Sequence, residues 1–329
     1  MLVRNFFYDR AWFKSHRFNL PVIAVGNLNM GGTGKSPMIE YLIRILQPKQ
    51  QVAVLSRGYG RKTRGYLVAV EGTRADEIGD EPYQFFRKFP DVQIAVDEDR
   101  VRGVSQLLDE TPVPDVILLD DAFQHRRINA GLYILLTSFG KLYADDLVLP
   151  AGDLREPSSG ARRADMIIVS KCPLDLDDKE KESISRRLKV RPGQDLYFTG
   201  IGYTDRIFGS GRSMSTRELA SREVVLVTGI ANPSPIVEYL RQLNSDFVHL
   251  DFPDHHKLSA KDMSRVKKTL KDLEGENKLI LTTEKDFVRN FENTELPVYY
   301  LPIRTVFLEH EERFKDRIDE YVRKNKRDS

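Results

Sequence analysis

Residues 22–37 have the sequence Val-Ile-Ala-Val-Gly-Asn-Leu-Asn-Met-Gly-Gly-Thr-Gly-Lys-Ser-Pro, and this pattern indicates the class of fold. Its apolar start predicts a strand, its glycines predict a turn, and Lys35 and Ser36 predict the start of a helix. Such a turn directs backbone N–H groups and a helix N-terminus at one point, where nucleotide phosphates bind. We therefore predict a P-loop for a nucleoside triphosphate, made of Asn29, Met30, Gly31, Gly32, Thr33, Gly34, Lys35 and Ser36.

Two P-loop side chains have predicted chemical roles. Lys35 is expected to contact the outer phosphates, and the Ser36 hydroxyl is expected to bind Mg²⁺. Asn29 occupies the position where the usual motif has its first glycine. An unrelated glycine turn is the alternative, but the strand, turn and helix signals all agree with a phosphate site.

Apolar runs that resemble strands alternate with helical segments on the C-terminal side of this stretch. The runs are residues 22–25, 52–55, 92–96, 116–119, 133–136 and 166–169. This alternation is typical of a mainly parallel sheet with helices on both faces. The predicted fold class is therefore α/β, with a doubly wound P-loop sheet.

A second, smaller α/β pattern begins near residue 223, so we predict two domains. The P-loop domain covers residues 1–195 and the second domain covers residues 211–296. Strands within 196–210 and 297–308 are expected to pair as a two-stranded linker. A charged helix is predicted over 309–329.

Composition limits the classes of function. The chain has 329 residues and a formal net charge of +2, which is too close to balance to suggest a nucleic acid as partner. Its single cysteine, Cys172, excludes an internal disulfide and a zinc site built from cysteines. No stretch approaches the roughly 20 apolar residues of a membrane-spanning helix.

The first eighteen residues interleave aromatic and basic side chains. Phe6, Phe7, Trp12 and Phe13 alternate with arginine, lysine and histidine. This pattern is typical of a segment that lies on an anionic membrane surface. An amphipathic helix packed on its own domain is the alternative.

A second motif, residues 115–127, places Asp120 and Asp121 directly after four apolar residues. In a P-loop fold the C-terminal end of that strand faces the phosphates, so either carboxylate is a candidate Mg²⁺ ligand. Capping of the next helix is the alternative explanation.

The loop 56–66 follows the second strand and is rich in arginine, glycine and tyrosine. We predict that Arg57, Tyr59 and Arg61 contact substrate phosphates, because the loop leaves the same sheet edge as the P-loop. A solvated basic loop and a site for single-stranded nucleic acid are the alternatives.

Acidic side chains in three other places are candidates for proton transfer. Asp99 follows a predicted strand and is suitably placed to accept the proton of an acceptor hydroxyl. Asp80 and Glu81 are equally consistent with helix caps and with function. His255 lies in the loop 251–256, which allows a metal site, a His–Asp pair or a solvated turn.

Taken with their order along the chain, these motifs resemble those of the tetraacyldisaccharide 4'-kinases, the lipid A 4'-kinases of Gram-negative bacteria. The resemblance spans nearly the whole chain. It depends on residues 8–17, 25–37, 56–61, 79–82, 120–125, 149–157, 252–255 and 282–286.

The resemblance implies a peripheral enzyme on the cytoplasmic face of the inner membrane. It would transfer the γ-phosphate of Mg·ATP to the 4'-hydroxyl of an acylated disaccharide 1-phosphate lipid. The resemblance also implies that Asp99 and His255 act as base and partner. It places substrate contacts at Gln124, His125 and Arg155. Only seven residues precede Tyr8, fewer than is common in the family, so weaker membrane attachment is expected.

Two rival functions belong to other classes. A P-loop GTPase or metallochaperone would need an Asn-Lys-x-Asp motif that reads guanine, and Ser170-Lys-Cys-Pro173 matches only its lysine. An RNA-binding module that uses residues 56–66 would bind with a steep salt dependence, which the near-zero net charge does not favour.

Overall fold

The computed structural model describes residues 2–209, 211–243, 246–254, 256–291 and 294–326. The chain forms two compact units. The first unit contains residues 1–201 and 305–329, and the second contains residues 202–304.

The first unit is built on a large sheet. Among the described residues its strands are β1 (Val22–Asn27), β2 (Val52–Ser56), β3 (Leu67–Val68), β4 (Gln93–Val96), β5 (Val116–Asp120), β6 (Leu132–Ser138), β7 (Met166–Ser170) and β8 (Asp195–Tyr203). A last strand, Ile303–Phe307, joins the edge beside β8, and β1 lies between β5 and β6 in the middle of the sheet. The strands from β8 through β1 to β4 pair in parallel, whereas β3 is antiparallel to β4.

Helices cover both faces of this sheet. They are α1 (Leu2–Asp9), α2 (Lys35–Leu46), α3 (Ala75–Ile78), α4 (Asp80–Lys88), α5 (Arg100–Leu107), α6 (Asp178–Leu188) and a C-terminal helix, Glu311–Lys324. Ile23 and Val25 of β1 pack with apolar residues of α2 on one face, and Val22 and Ala24 pack with those of α5 on the other. Because a strand alternates its side chains, a continuously apolar β1 is buried on both sides. The predicted doubly wound α/β fold is confirmed.

The second unit is a smaller α/β layer structure. Its described strands are β9 (Arg206–Gly209), β10 (Arg212–Ser215), β11 (Glu223–Thr228), β12 (Phe247–Asp251), β13 (Lys278–Thr283) and β14 (Val298–Leu301), so the strand Ile303–Phe307 is β15. The helices are α7 (Ser234–Gln242), α8 (Ala260–Asp272) and α9 (Glu284–Asn290), and the helix Glu311–Lys324 is α10. The order in the sheet is β10-β9-β14-β13-β11-β12.

The predicted linker ranges each contain parts of two strands. Within 196–210, β8 belongs to the first sheet and β9 to the second; within 297–308, β14 belongs to the second sheet and β15 to the first. Pro302 separates β14 from β15, which agrees with the exclusion of proline from the interior of a strand. The units divide at 201/202 and 304/305, inside the predicted ranges.

Among the residues that the structure describes, no helix combines the length and apolar character that spanning a bilayer requires.

Candidate active site

The P-loop connects β1 to α2 at the middle of the first sheet. Gly31 and Gly34 have φ angles of 104° and 82°, which only glycine adopts without strain. Gly34 is the N-cap of α2, and among the described residues no side chain caps this helix. The first backbone N–H groups of α2 therefore remain available to an anion, as phosphate binding requires.

Lys35 is held close to the P-loop rather than extended into solvent. Its side chain is 15% exposed, and Nζ lies 3.7 Å from Asp121 Oδ1. Nζ also donates a long hydrogen bond, 3.4 Å, to Asn27 Oδ1 at the end of β1. These contacts place a largely buried positive charge beside the anion-binding turn.

Asn29 and Met30 of the predicted nucleotide site make contacts outside the P-loop. Asn29 is buried, and its Nδ2 donates to Asp146 Oδ2 at 3.1 Å. The Met30 backbone N–H donates to the Asp153 carbonyl at 2.7 Å, while its side chain is exposed. Asn29 thus anchors the segment 146–153 to the P-loop, and direct contact of these two residues with nucleotide stays a prediction.

The strand β5 delivers Asp120 into a buried position beside the P-loop. Asp120 Oδ2 accepts a hydrogen bond from Ser56 Oγ at 3.0 Å, but Oδ1 is buried and has no hydrogen-bond partner among the described residues. Burial, together with the nearby charges of Glu81 and Asp121, raises the pKa of Asp120 well above its usual range.

Glu81 joins this group from a distant part of the chain. Ser36 Oγ donates to Glu81 Oε1 at 2.8 Å. The N-cap of α4 is Gly79, with a φ of 95°, and a Cβ there would lie 2.9 Å from the Tyr59 carbonyl. Glu81 lies in the first turn of α4 and accepts the hydrogen bond of the P-loop serine. The sequence alone had left open whether Glu81 caps a helix or has a function.

Asp121 contacts two cationic side chains, Lys35 and Arg155. It has a left-handed backbone with a φ of 48°, and Arg155 donates to both its carboxylate oxygens at 2.8 and 3.0 Å. Burial alone would raise the pKa of Asp121, but the hydrogen bond from Arg155 and the charges of Lys35 and Arg155 lower it overall. Asp121 therefore orients Lys35 and Arg155.

The donor set fits a divalent cation. Ser36, Glu81 and Asp120 supply the hard oxygen atoms that Mg²⁺ prefers. The unpartnered Asp120 Oδ1 and the raised pKa of Asp120 are both features that a bound cation relieves. Within the described ranges, no three histidine, cysteine or acidic side chains form a ready metal cluster. The set therefore suits an ion that also takes phosphate and water ligands.

Comparison with known proteins agrees with this geometry. The family model for tetraacyldisaccharide-1-P 4'-kinase, LpxK, matches residues 1–323. The chain belongs to the tetraacyldisaccharide 4'-kinase family. The predicted family and the predicted enzyme class, a kinase, are confirmed.

Several relatives match nearly the whole chain. The tetraacyldisaccharide 4'-kinase of Flavobacterium johnsoniae is 47% identical over 98% of this chain and 93% of its own. That of Bacteroides thetaiotaomicron is 44% identical over 99% and 91%, respectively. The crystal structure of an "apo" form of LpxK from Aquifex aeolicus in complex with ATP matches with a TM-score of 0.77 and 30% identity, covering 97% of this chain and 94% of that one. These relatives do not support the rival GTPase or metallochaperone.

Gln124 and His125 of this kinase bond mainly within the protein. Gln124 Nε2 donates to the Asn27 carbonyl at 2.8 Å and to Glu156 Oε1 at 3.0 Å. Burial and the charge of Arg100 lower the pKa of His125 to about 4, so its ring is neutral at physiological pH. The bond from Gln124 to Asn27 supports the end of β1, and substrate contact by Gln124 or His125 stays a prediction.

Arg100 is a site residue that sequence reasoning missed. It is 2% exposed, and its guanidinium donates to the carbonyls of Asp97 and Asp120 at 2.9 and 3.1 Å. It places a positive charge close to Asp120. The only signal in the sequence was its place at the end of the acidic cluster 97–100.

The basic loop of this kinase contains both paired and exposed side chains. Arg61 is nearly buried and donates to Glu98 Oε2 and to the Gly65 carbonyl, each at 2.6 Å. Arg57 is exposed, and Tyr59 is 92% exposed. Arg61 therefore shapes the loop, while Arg57 and Tyr59 remain accessible to a substrate, as predicted roles.

Of the predicted base Asp99 and its predicted partner His255, the structure describes only Asp99. Asp99 is the N-cap of α5, accepting from the Val101 N–H at 3.1 Å, and its Oδ2 accepts from Arg127 Nη1 at 2.7 Å. Burial would raise the pKa of Asp99, but the Val101 N–H and the Arg127 charge lower it overall. His255 lies outside the described residues.

Proposed function

We propose that this kinase transfers the γ-phosphate of ATP to the 4'-hydroxyl of a tetraacylated glucosamine disaccharide 1-phosphate, a step of lipid A biosynthesis. The supporting observation is the convergence of Lys35, Ser36, Glu81 and Asp120 at one edge of the sheet. This edge combines an anion-binding turn, a largely buried cation and hard oxygen ligands. Phosphoryl transfer requires these groups, because its catalysis is mostly positioning and charge neutralisation.

Each residue has a defined task in this proposal. The P-loop amides and Lys35 bind the β- and γ-phosphates and stabilise the charge that grows on the transferred group. Ser36, Glu81 and Asp120 would hold Mg²⁺, which when bound neutralises phosphate charge. Asp121 keeps Lys35 and Arg155 in place, since it contacts both.

The proposal is tested by direct transfer of label. The purified kinase is incubated with γ-labelled ATP and a disaccharide 1-phosphate lipid, and the product is mapped by selective cleavage. Label at the 4' oxygen supports the proposal. Release of labelled inorganic phosphate without labelled lipid, or a preference for GTP, would instead indicate hydrolysis by a nucleotide switch.

Variants of two carboxylates, Asp99 and Asp80, test which group accepts the proton of the substrate hydroxyl. The capping bond and the Arg127 ion pair make the Asp99 carboxylate a weaker base, although the sequence made it the candidate. Asp80 is exposed and directly precedes Glu81, which contacts Ser36. We expect Asp80→Asn to lower kcat by about a hundredfold and Asp99→Asn to lower it by less than tenfold.

Melting temperatures of both variants are measured beside kcat, so that a loss of activity is separated from a loss of folding. A hundredfold loss in Asp99→Asn, with its melting temperature unchanged, would instead support Asp99 as the base.

We also propose that the N-terminal segment attaches the kinase to the inner membrane from the cytoplasmic side. The polar side chains of α1 bond to its own unit, since Asn5 donates to Glu156 at 2.8 Å and Asp9 pairs with Arg126 at 2.8 Å. Aromatic rings remain outside: Phe6, Trp12 and Phe13 are 49%, 68% and 47% exposed. A segment that is fixed to its unit through Asn5 and Asp9, and that exposes aromatic rings beside the exposed Arg10 and Lys14, suits an anionic lipid surface.

Removing these rings should release the kinase from vesicles. The triple variant Phe6→Ser, Phe7→Ser, Trp12→Ser is expected to bind anionic vesicles at least tenfold more weakly, measured by co-sedimentation. Turnover of a detergent-dispersed acceptor should change little. The control is Val113→Ser, Leu174→Ser, Val248→Ser, which removes three other exposed apolar side chains. If the parent and the Phe6→Ser, Phe7→Ser, Trp12→Ser variant bound vesicles equally well, the proposal would be contradicted.

A further inference from the structure

A cavity of the first unit is lined by cationic and hydroxyl side chains that the phosphate-transfer site does not use. Its volume is about 260 Å³, and its lining includes Ser158, Ser159, Arg162, Arg187, Lys189 and Arg191. Tyr143 and Leu188 form part of its apolar wall. All of its lining residues lie in the described chain, and none of them is acidic.

The positive charge around this cavity is only partly compensated. Arg162 pairs with Asp9 and Arg187 pairs with Asp145, so two of the four cations have a carboxylate partner. Lys189 and Arg191 are exposed, and neither forms an ion pair with any residue that the structure describes. Two hydroxyl groups and two uncompensated cations at one concave site form a receptor for a phosphate group.

The position of the cavity indicates where that phosphate comes from. Arg162, on its wall, contacts Asp9, the last residue of α1. The exposed rings of Phe6 and Trp12 belong to the same N-terminal segment. Aromatic side chains that bind a membrane surface lie at the level of the lipid headgroups. The ligand that carries a phosphate to this position is therefore an anionic lipid.

We propose that this cavity binds the phosphate headgroup of an anionic glycerophospholipid and so orients the kinase on the membrane. The site is separate from the P-loop, so this lipid is a bound ligand and undergoes no reaction there. The proposal rests on the attachment through the N-terminal segment, and it adds a specific headgroup contact to the general attraction of basic residues for an anionic surface.

A charge-reversal pair tests the headgroup site. Lys189→Glu with Arg191→Glu is compared with Lys267→Glu with Lys268→Glu, an exposed pair on α8 with the same change in net charge. Binding is measured to vesicles of phosphatidylcholine alone and with one fifth phosphatidylglycerol. We expect the cavity pair to lose roughly tenfold or more of the affinity gained from phosphatidylglycerol, and the α8 pair to lose less than threefold.

Further arms separate this proposal from its alternatives. Equal losses in the two pairs would overturn it, because a general charge effect would then explain the binding. Saturable binding of glycerol 3-phosphate or inorganic phosphate that Lys189→Glu/Arg191→Glu abolishes, with unchanged vesicle binding, would assign the cavity to a soluble phosphate instead. Label transfer to detergent-dispersed acceptor is followed in parallel. If the parent transferred no label yet the cavity pair lost vesicle binding, the headgroup site would stand and the proposed reaction would fail.

Discussion

Replacing Lys35 with methionine is expected to lower kcat/KM for phosphoryl transfer by about a thousandfold. Methionine keeps most of the length of the side chain but removes the ammonium group, which is the only group of Lys35 that can neutralise phosphate charge. In the folded protein Nζ lies 3.7 Å from Asp121 and beside the anion-binding turn, so its charge is already in position. Catalysis by preorganised charge is lost most completely when that charge is deleted.

The control for Lys35→Met is Lys49→Met. Lys49 is 63% exposed and forms a surface ion pair with Asp319, which contributes about 1 kcal/mol or less. Initial rates with saturating lipid and varied ATP give kcat and KM for each variant, and melting temperatures verify folding. A Lys35→Met variant within tenfold of the parent would contradict the assignment of Lys35.

Replacing Asp120 with asparagine should abolish most activity and, without Mg²⁺, stabilise the folded protein. Asparagine keeps the shape and an acceptor for Ser56 Oγ, but it removes a negative charge that is buried near Glu81 and Asp121. We expect kcat to fall by about a hundredfold or more, because a principal cation ligand is lost.

The pH dependence of stability follows from the raised pKa of Asp120. The unfolded chain releases the Asp120 proton above about pH 4, whereas the folded protein keeps it to a higher pH. Asp120 therefore destabilises the folded protein as the pH rises from about 4 toward the pKa of Asp120 in the folded state. In Mg²⁺-free buffer at pH 8, Asp120→Asn should therefore melt at least about 2 °C higher than the parent, and the difference should vanish near pH 4. Mg²⁺ should raise the melting temperature of the parent more than that of the variant.

Differential scanning fluorimetry at pH 4, 6 and 8, with and without Mg²⁺, measures both effects. Ser138→Ala, a partly buried polar change at the end of β6, serves as a control for the assay. If Asp120→Asn and the parent had parallel pH profiles and equal responses to Mg²⁺, the buried charge would not be the cation ligand.

Much of the site was predictable because its signals are local in the sequence. The run from Val22 to Ser36 encodes a buried strand, a glycine turn and a helix start within fifteen residues, and the structure contains all three. Asp120 follows an apolar run, which places it at the strand end beside the P-loop. In both places the backbone conformation depends on neighbouring residues and on burial of apolar side chains, which sequence periodicity records.

Contacts between distant segments were not predictable in the same way. Glu81 lies 45 residues from Ser36 along the chain, and Arg155 lies 34 residues from Asp121, yet both pairs are hydrogen-bonded. The buried Arg100 and the tether from Asn29 to Asp146 depend equally on where loops meet. No pattern of residue types at short spacing specifies which of several acidic residues reaches a given hydroxyl.

Local patterns along the chain were enough to predict the α/β class, the P-loop and the place of Lys35, Ser36, Asp120 and Asp121 at one sheet edge. The packing of the folded chain added three contacts: Glu81 with Ser36, Asp121 with Lys35 and Arg155, and the Asp99 cap of α5 with Arg127. Strands and turns arise from local periodicity, whereas side-chain partners arise from the packing of segments that the parallel strand order brings together.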